Sequence, residues 1–360
     1  RLKIIVGSGA GGGYDVYARL VGRHMGNHIP GNPSIIVQNM TGAGGIIGAN
    51  FVAVAAPKDG TIIGGLQRSV ALVQLMGQKG PKFKAAELNW LGSLAKEAGV
   101  CAISSRTGVT TFDGLFKKEY SFGGTGPNST EFWPALFRNT MGAKIKLIRG
   151  YPATPQIHLA IERGELDAGT IKPLVQVSLH PDKQMTALGV PLLSEVLTKE
   201  NLAKGVSLED AQLFFRLTVI PPVMGRPFAM AAGIPKARAA AMKKAFIDMA
   251  NDPAFLADAK RSKRDVELVT GAEIQKILAD LSDTPQEKLA ALGDHFKFKG
   301  PVEKVVLKTV VHAGKVVDVK RDGRRVYIDY NGKKMRANVS GSKTKLTVDG
   351  AKAKRKAIKV

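Results

Sequence analysis

The sequence has almost no cysteine: Cys101 stands alone among 360 residues, which excludes an internal disulfide and any cysteine-built metal cluster. Its setting, GVCAISS, reads as a buried strand, so the thiol is expected to be inert core. No stretch of about 18 uninterrupted apolar residues occurs, which excludes a transmembrane helix. Neither a basic n-region nor an apolar h-region precedes the first strand, so at Arg1 any secretion signal has been removed or was never present. Six histidines form no HExxH pattern. His24 and His28, at i and i+4, come without a carboxylate third ligand and read as a solvated helix face; no metal is assigned.

What is present sets the architecture. A chain of 360 residues with 44% hydrophobic content can bury two domain-sized cores, since single cores rarely grow past roughly 250 residues. Near its start, a β-branched run, Ile4-Ile5-Val6, leads into a turn with five glycines between Gly7 and Gly13, and an amphipathic helix opens near Tyr14 and Asp15. A strand that delivers bare backbone to a helix N-terminus makes an anion cradle, because the first-turn N–H groups have no partner inside the helix and the dipole favours negative charge there.

Gly7-x-Gly9-x-x-Gly12 also satisfies the dinucleotide fingerprint, which makes an α/β enzyme with a phosphorylated or dinucleotide cofactor the alternative reading. That fingerprint wants an acidic residue at the end of the second strand to hold the ribose. Here the strand SIIVQNM ends in Gln38 and Asn39. No Gly-Lys-Ser/Thr follows the turn, which excludes a P-loop. An enzyme would also need a positioned acid, base or nucleophile, and Glu131 is the best single candidate.

Residues 9–65 carry a longer signature: Gly11-Gly12-Gly13-Tyr14-Asp15, Ala18-Arg19, Val37-Gln38-Asn39, Thr41-Gly42-Ala43-Gly44-Gly45 and Ala56-Pro57-Lys58-Asp59-Gly60. In this order and spacing it resembles the substrate-binding proteins of tripartite tricarboxylate transporters, the Bug family. Later segments extend the resemblance to about residue 290: a second glycine loop in FGGTGPNSTEFWPALF, Tyr151 to Pro155, and Gly164-Glu165-Leu166-Asp167. There are two departures. Glu131 stands where the family usually has histidine after the second loop, and Gly9 where it usually has proline.

The resemblance implies a two-lobed α/β fold like that of periplasmic binding proteins, periplasmic location, no catalysis, no cofactor, and delivery of a small carboxylate to the membrane components of a tripartite transporter. Residues 1–102 and 220–299 would form a discontinuous first lobe and 103–219 the second. Crossings near 100–105 and 215–225 would form the hinge, with Ile220-Pro221-Pro222 stiffening the second.

Periodicity independently gives alternating strands and helices, which implies a largely parallel sheet with ligands at the carboxyl ends of its strands. Helices are expected around 14–28, 45–55, 112–118, 130–141, 154–163, 193–198, 236–250, 253–260 and 271–291. Strands are expected around 3–6, 34–38, 61–65, 99–104, 119–123, 145–148, 166–170, 185–189 and 214–220. Both glycine turns then face one cleft.

The candidate ligand donors are the amides of Ser8, Gly9, Ala10, Gly11, Gly12 and Gly13 in one lobe. In the other they are Gly124, Thr125, Gly126, Asn128 and Ser129, with the side chains of Thr125, Asn128 and Ser129. Each set would hold one end of a di- or tricarboxylate or of an aromatic acid. Arg68 is read as a bidentate carboxylate clamp or a surface arginine, and Asp15 as a helix cap or the holder of a ligand-bound water. Asp167 would order the second loop or receive a ligand hydroxyl or amine, and Tyr151 belongs to the same set. Tyr14, Tyr17, Phe132 and Trp133 are candidates to sandwich an aromatic acid, or core.

The last 61 residues differ in character. Residues 300–360 hold 17 Lys and Arg against 5 Asp and Glu, where the first 299 hold 36 against 25. Half the excess positive charge sits in a sixth of the chain. Alternating strands broken by Asp322-Gly323, Asn331-Gly332, Gly341 and Asp349-Gly350 predict a small basic β-meander or barrel, facing an anionic surface or simply solvated. No nucleic-acid partner is assigned. The chain stops on a strand-like Ile358-Lys359-Val360, as it would if the module were truncated.

Overall fold

In the computed structural model, which describes residues 1–97, 99–126, 130–151, 154–167, 172–178 and 181–304 and the backbone of six strands between 309 and 358, strands and helices alternate from the start. They are β1 (Leu2–Val6), α1 (Gly13–His24), β2 (Ile35–Asn39), α2 (Ile46–Asn50), β3 (Ile62–Gly65), α3 (Val70–Leu75) and β4 (Asn89–Ser93). β1 pairs in parallel with both β2 and β3, as helical crossovers require.

The chain then crosses to the second lobe. This holds β5 (Gly99–Ile103), β6 (Tyr120–Gly124), α4 (Phe132–Met141), β7 (Ile145–Arg149), α5 (Thr154–Glu162), β8 (Lys172–Val177), α6 (Lys183–Ala187), α7 (Leu193–Val196) and α8 (Leu208–Val223). It returns as β9 (Pro227–Met230), α9 (Lys236–Ala250), α10 (Pro253–Arg261), β10 (Val269–Thr270) and α11 (Gly271–Ser282). β9 inserts antiparallel between β3 and β4, so the first sheet runs β10-β4-β9-β3-β1-β2. The two crossings lie side by side: Gly225 N–H donates to Ala95 O (2.8 Å) and Glu97 N–H to Pro222 O (2.9 Å).

α12 (Gln286–His295) touches both lobes: it packs on α4, while Gln286 Nε2 donates to Leu75 O (3.3 Å) and Gly293 O accepts from Gln78 Nε2 (3.3 Å) on the first-lobe side. β11 (Val302–Lys304) then joins β7 in parallel. Phe296, just past α12, stacks on Phe132 with ring centroids 3.7 Å apart. One apolar core packs on the first sheet around Ile4, Ile63, Phe228 and Phe246. Another runs continuously from Leu72, Trp90 and Leu278 to Phe132, Phe137 and Phe215 in the second lobe.

Beyond β11 come β12 (Thr309–His312), β13 (Lys315–Asp322), β14 (Arg325–Tyr330), β15 (Lys333–Ser340), β16 (Lys343–Val348) and β17 (Lys356–Ile358), each antiparallel to the next. Asp322 pairs with Arg325, Tyr330 with Lys333 and Ser340 with Lys343, the registers that two-residue hairpins impose. Gly323, Asn331-Gly332, Gly341 and Asp349-Gly350, the predicted turn residues, lie outside the described residues.

Several elements differ from the sequence pattern. Residues 214–220, expected as a strand, lie in helix α8. Ser207 starts it by accepting the Asp210 N–H (3.0 Å), and Phe214, Phe215, Leu217 and Val219 are all buried. A helix buried on most sides has no polar stripe to betray it. The strand expected at 185–189 is instead α6, capped by Asp182, whose side chain accepts from Gln184 N and Met185 N. The strand expected at 166–170 appears later, as β8, and residues 168–170 lie outside the described ones. The expected helix 271–291 breaks at Pro285, which becomes the N-cap of α12, because proline disfavours the helical region for the residue before it. The first sheet is mixed, since β9 and β10 run antiparallel.

Candidate functional site

The first glycine turn leaves β1 at the carboxyl edge of the sheet and enters α1 with Gly12 as N-cap, without any side-chain cap. The first-turn N–H groups of α1 are therefore open to a ligand. A carboxylate behind the turn fixes its shape. Asp15, 2% exposed, accepts the Gly11 N–H at 2.9 Å, Arg19 Nε at 2.9 Å and Asn39 Nδ2 at 2.8 Å. Asn39 Nδ2 also donates to Ser8 O (2.9 Å). Burial pushes the Asp15 carboxyl upward, but these hydrogen bonds from Arg19, Gly11 and Asn39 outweigh it and hold it below the usual carboxylate range. Asp15, Ala10 and Gly11 lie outside the lining of the cleft; Ser8, Gly9, Gly12 and Gly13 line it.

The second turn faces the first across a cavity of about 520 Å³. Gly123, Thr125 and Thr130 line it from that side. At the mouth the lobes meet: a Cβ on Gly126 would lie 2.9 Å from Gly44 N, so only glycine admits this approach. Asn128 and Ser129 lie outside the described residues. Gly124 sits above the buried Glu131, and a Cβ there would come within 2.5 Å of Glu131 Oε1. Glu131, 2% exposed, accepts Arg149 Nε (2.8 Å) and the Gly126 N–H, so it braces the second turn as Asp15 braces the first. Burial raises its carboxyl above the usual range despite Arg149.

Two residues expected at the cleft sit elsewhere. Asp167 accepts the Ser121 N–H and Oγ–H (2.9 and 2.8 Å) and faces a separate, smaller cavity with Ser104 and Tyr120. Tyr151 is buried, donates its N–H to Gly124 O (3.2 Å) and lies outside the cleft lining. Burial pushes its phenol up to about 12. Of the aromatic candidates, Tyr14, Phe132 and Trp133 line the cleft, whereas Tyr17 is core, with its hydroxyl donating to Asp265 O (2.6 Å).

Arg68 lines the cleft as part of an ion cluster that no sequence motif announces. Glu97, in the first crossing, bridges Arg68 (Nη1 to Oε2, 2.6 Å) and Arg226 in the second (Nη2 to Oε1, 2.6 Å; Nη1 to Oε2, 3.0 Å). The Arg226 guanidinium lies 4.6 Å from the Tyr14 ring centre and against Gly13, whose Cβ would stand 3.0 Å from Nη2. Arg226 Nε and Ser8 Oγ are buried and lack a partner among the described residues. Both line the cleft. Glu97 and Arg226 were missed because ordinary residues in two distant segments become neighbours only when the crossings pair.

Cys101 also lines the cleft, and burial pushes its thiol up to about 12. In native protein it is therefore expected to resist an aromatic disulfide reagent near neutral pH and to react with one equivalent after denaturation. Rapid reaction of the native thiol would contradict this packing. Among the described residues no cluster of side chains could hold a metal ion. His24 and His28 instead contact Asp258 (2.9 Å) and Asp252 (3.0 Å). No described helix is long and apolar enough to cross a membrane.

The fold is that of a two-lobed periplasmic binding protein. Solved structures carry the likeness: the periplasmic binding protein BugD (17% identity, TM-score 0.63, 84% of this chain and 98% of that one), and MatC from Rhodopseudomonas palustris with bound malate (14%, 0.59, 82% and 98%). An R. palustris protein solved with adipate is similar too (15%, 0.58, 82% and 97%). No family profile and no curated protein matches the sequence.

Proposed function

We propose that the chain is a non-enzymatic extracytoplasmic receptor that captures a small carboxylate between its lobes and presents it to the membrane components of a tripartite transporter. The observation that carries this reading is the convergence, on one cleft between two lobes, of an uncapped helix N-terminus, Ser8 Oγ and the unpartnered Nε of Arg226. A ligand touching both lobes stabilises the closed form by its differential contacts, and closure is what a membrane partner can recognise. The malate and adipate in the similar structures support a carboxylate as the ligand class, and BugD supports a periplasmic setting.

Two observations weigh against the enzyme alternative. Asn39, at the position that would hold a ribose, is engaged with Asp15, Ser8 and Arg19. Glu131 is walled off behind Gly124. Thermal melting with carboxylates and with NAD tests the choice. A carboxylate at 100 times its Kd should stabilise the protein by about 2.7 kcal/mol, while NAD leaves the melting point unchanged. Stabilisation by NAD alone would reverse the assignment.

A further inference from the structure

We infer that the cleft is built for a monoanion: one carboxylate seated at the first glycine turn, carried on an apolar, preferably aromatic, body that lies against the second lobe. This rests on the receptor reading and names its substrate class.

The first argument is charge. Arg68 and Arg226 both line the cleft, but Glu97 bridges them, so the cluster has a surplus of one positive charge. That surplus matches one carboxylate, and the free donors beside it, Ser8 Oγ and Arg226 Nε, give the group a defined seat.

The second argument is the state of the opposite turn. Two of its amides are taken: Thr125 N–H donates to Thr130 Oγ1 (2.8 Å) and Gly126 N–H to the Glu131 carboxylate. Pro134, third in α4, has no N–H to offer. Directly behind the turn stands Glu131 itself. Arg149 pairs with it (2.8 Å), so a second carboxylate placed there finds no surplus positive charge to offset its lost hydration. The hydroxyls of Thr125 and Thr130, 3.2 Å apart, suit a neutral polar tip instead.

The third argument is the wall between. Phe122, Phe132, Trp133, Phe137 and Ile157 line the second-lobe side. Apolar surface buried against them contributes in proportion to its area, whereas a charged group brought there loses its hydration.

Calorimetric titration of the full chain near neutral pH with benzoate, phenylacetate, malate and adipate tests the inference. An aromatic monocarboxylate should bind at least about ten-fold more tightly than either dicarboxylate. Glu97→Gln and Glu131→Gln remove negative charge from opposite ends of the cleft, and each should narrow that preference by at least about five-fold. Two sites keep the test valid if one variant fails to fold. Malate or adipate binding the native protein as tightly as the monocarboxylates, or both variants leaving the preference unchanged, would overturn the inference while the receptor reading stands. If none of the four acids binds, both fall.

Discussion

Gly12→Val should abolish carboxylate binding, with an affinity loss of at least about 100-fold, or about 2.7 kcal/mol, and leave the fold intact. Gly12 has φ −70° and ψ 159°, an extended conformation that valine adopts without strain. A Cβ there would lie 3.2 Å from Gly9 O and 3.7 Å from Ser8 Oγ, so the two further methyl groups must enter the space in front of the uncapped helix N-terminus. A ligand oxygen that needs backbone donors at hydrogen-bond distance is then held off. Circular dichroism of the variant should match that of the parent, and calorimetry should detect no heat from the acid that the parent binds. Binding within a few-fold of the parent would show that the carboxylate sits elsewhere.

Asp15→Ala should destabilise the protein by about 3 kcal/mol, because it leaves the Gly11 N–H, Arg19 and Asn39 without their common acceptor in a buried setting. Carboxylate affinity should fall with it, since the same bonds shape the turn. The pH dependence gives a second signature. The folded-state pKa of Asp15 is depressed, so its stabilisation is present above the unfolded carboxylate value of about 3.9 and is lost as pH falls through the folded value. Urea unfolding at neutral and acid pH should find parent and variant far apart at the first and converging at the second. A neutral-pH difference below about 1 kcal/mol would contradict this role.

The opening of the first lobe, from β1 to β3, was legible because its logic is local. A β-branched run, a glycine turn and an amphipathic pattern each carry their own signal within a few residues, and the parallel pairing of β1 with β2 and β3 fits them. Asn39 was readable as the end of a strand; its bond to Ser8 was not, since that depends on how the strand end meets the turn. The harder cases share one cause. Helix α8 is apolar on most faces and looks like a strand until tertiary packing surrounds it. Glu97 and Arg226, 129 residues apart, become a pair only when the two crossings lie side by side. The inward donation of the second turn's amides likewise depends on where Thr130 and Glu131 point, which the glycine spacing does not encode.

The most direct test of the whole account is a crystal structure with a bromine-labelled aromatic carboxylate. The account predicts the carboxylate within hydrogen-bond distance of Ser8 Oγ, the Gly13 N–H and Arg226 Nε, with the anomalous bromine peak against Trp133 in the second lobe. A carboxylate seated at Thr125 and Thr130, or a bromine peak outside the cleft, would contradict it.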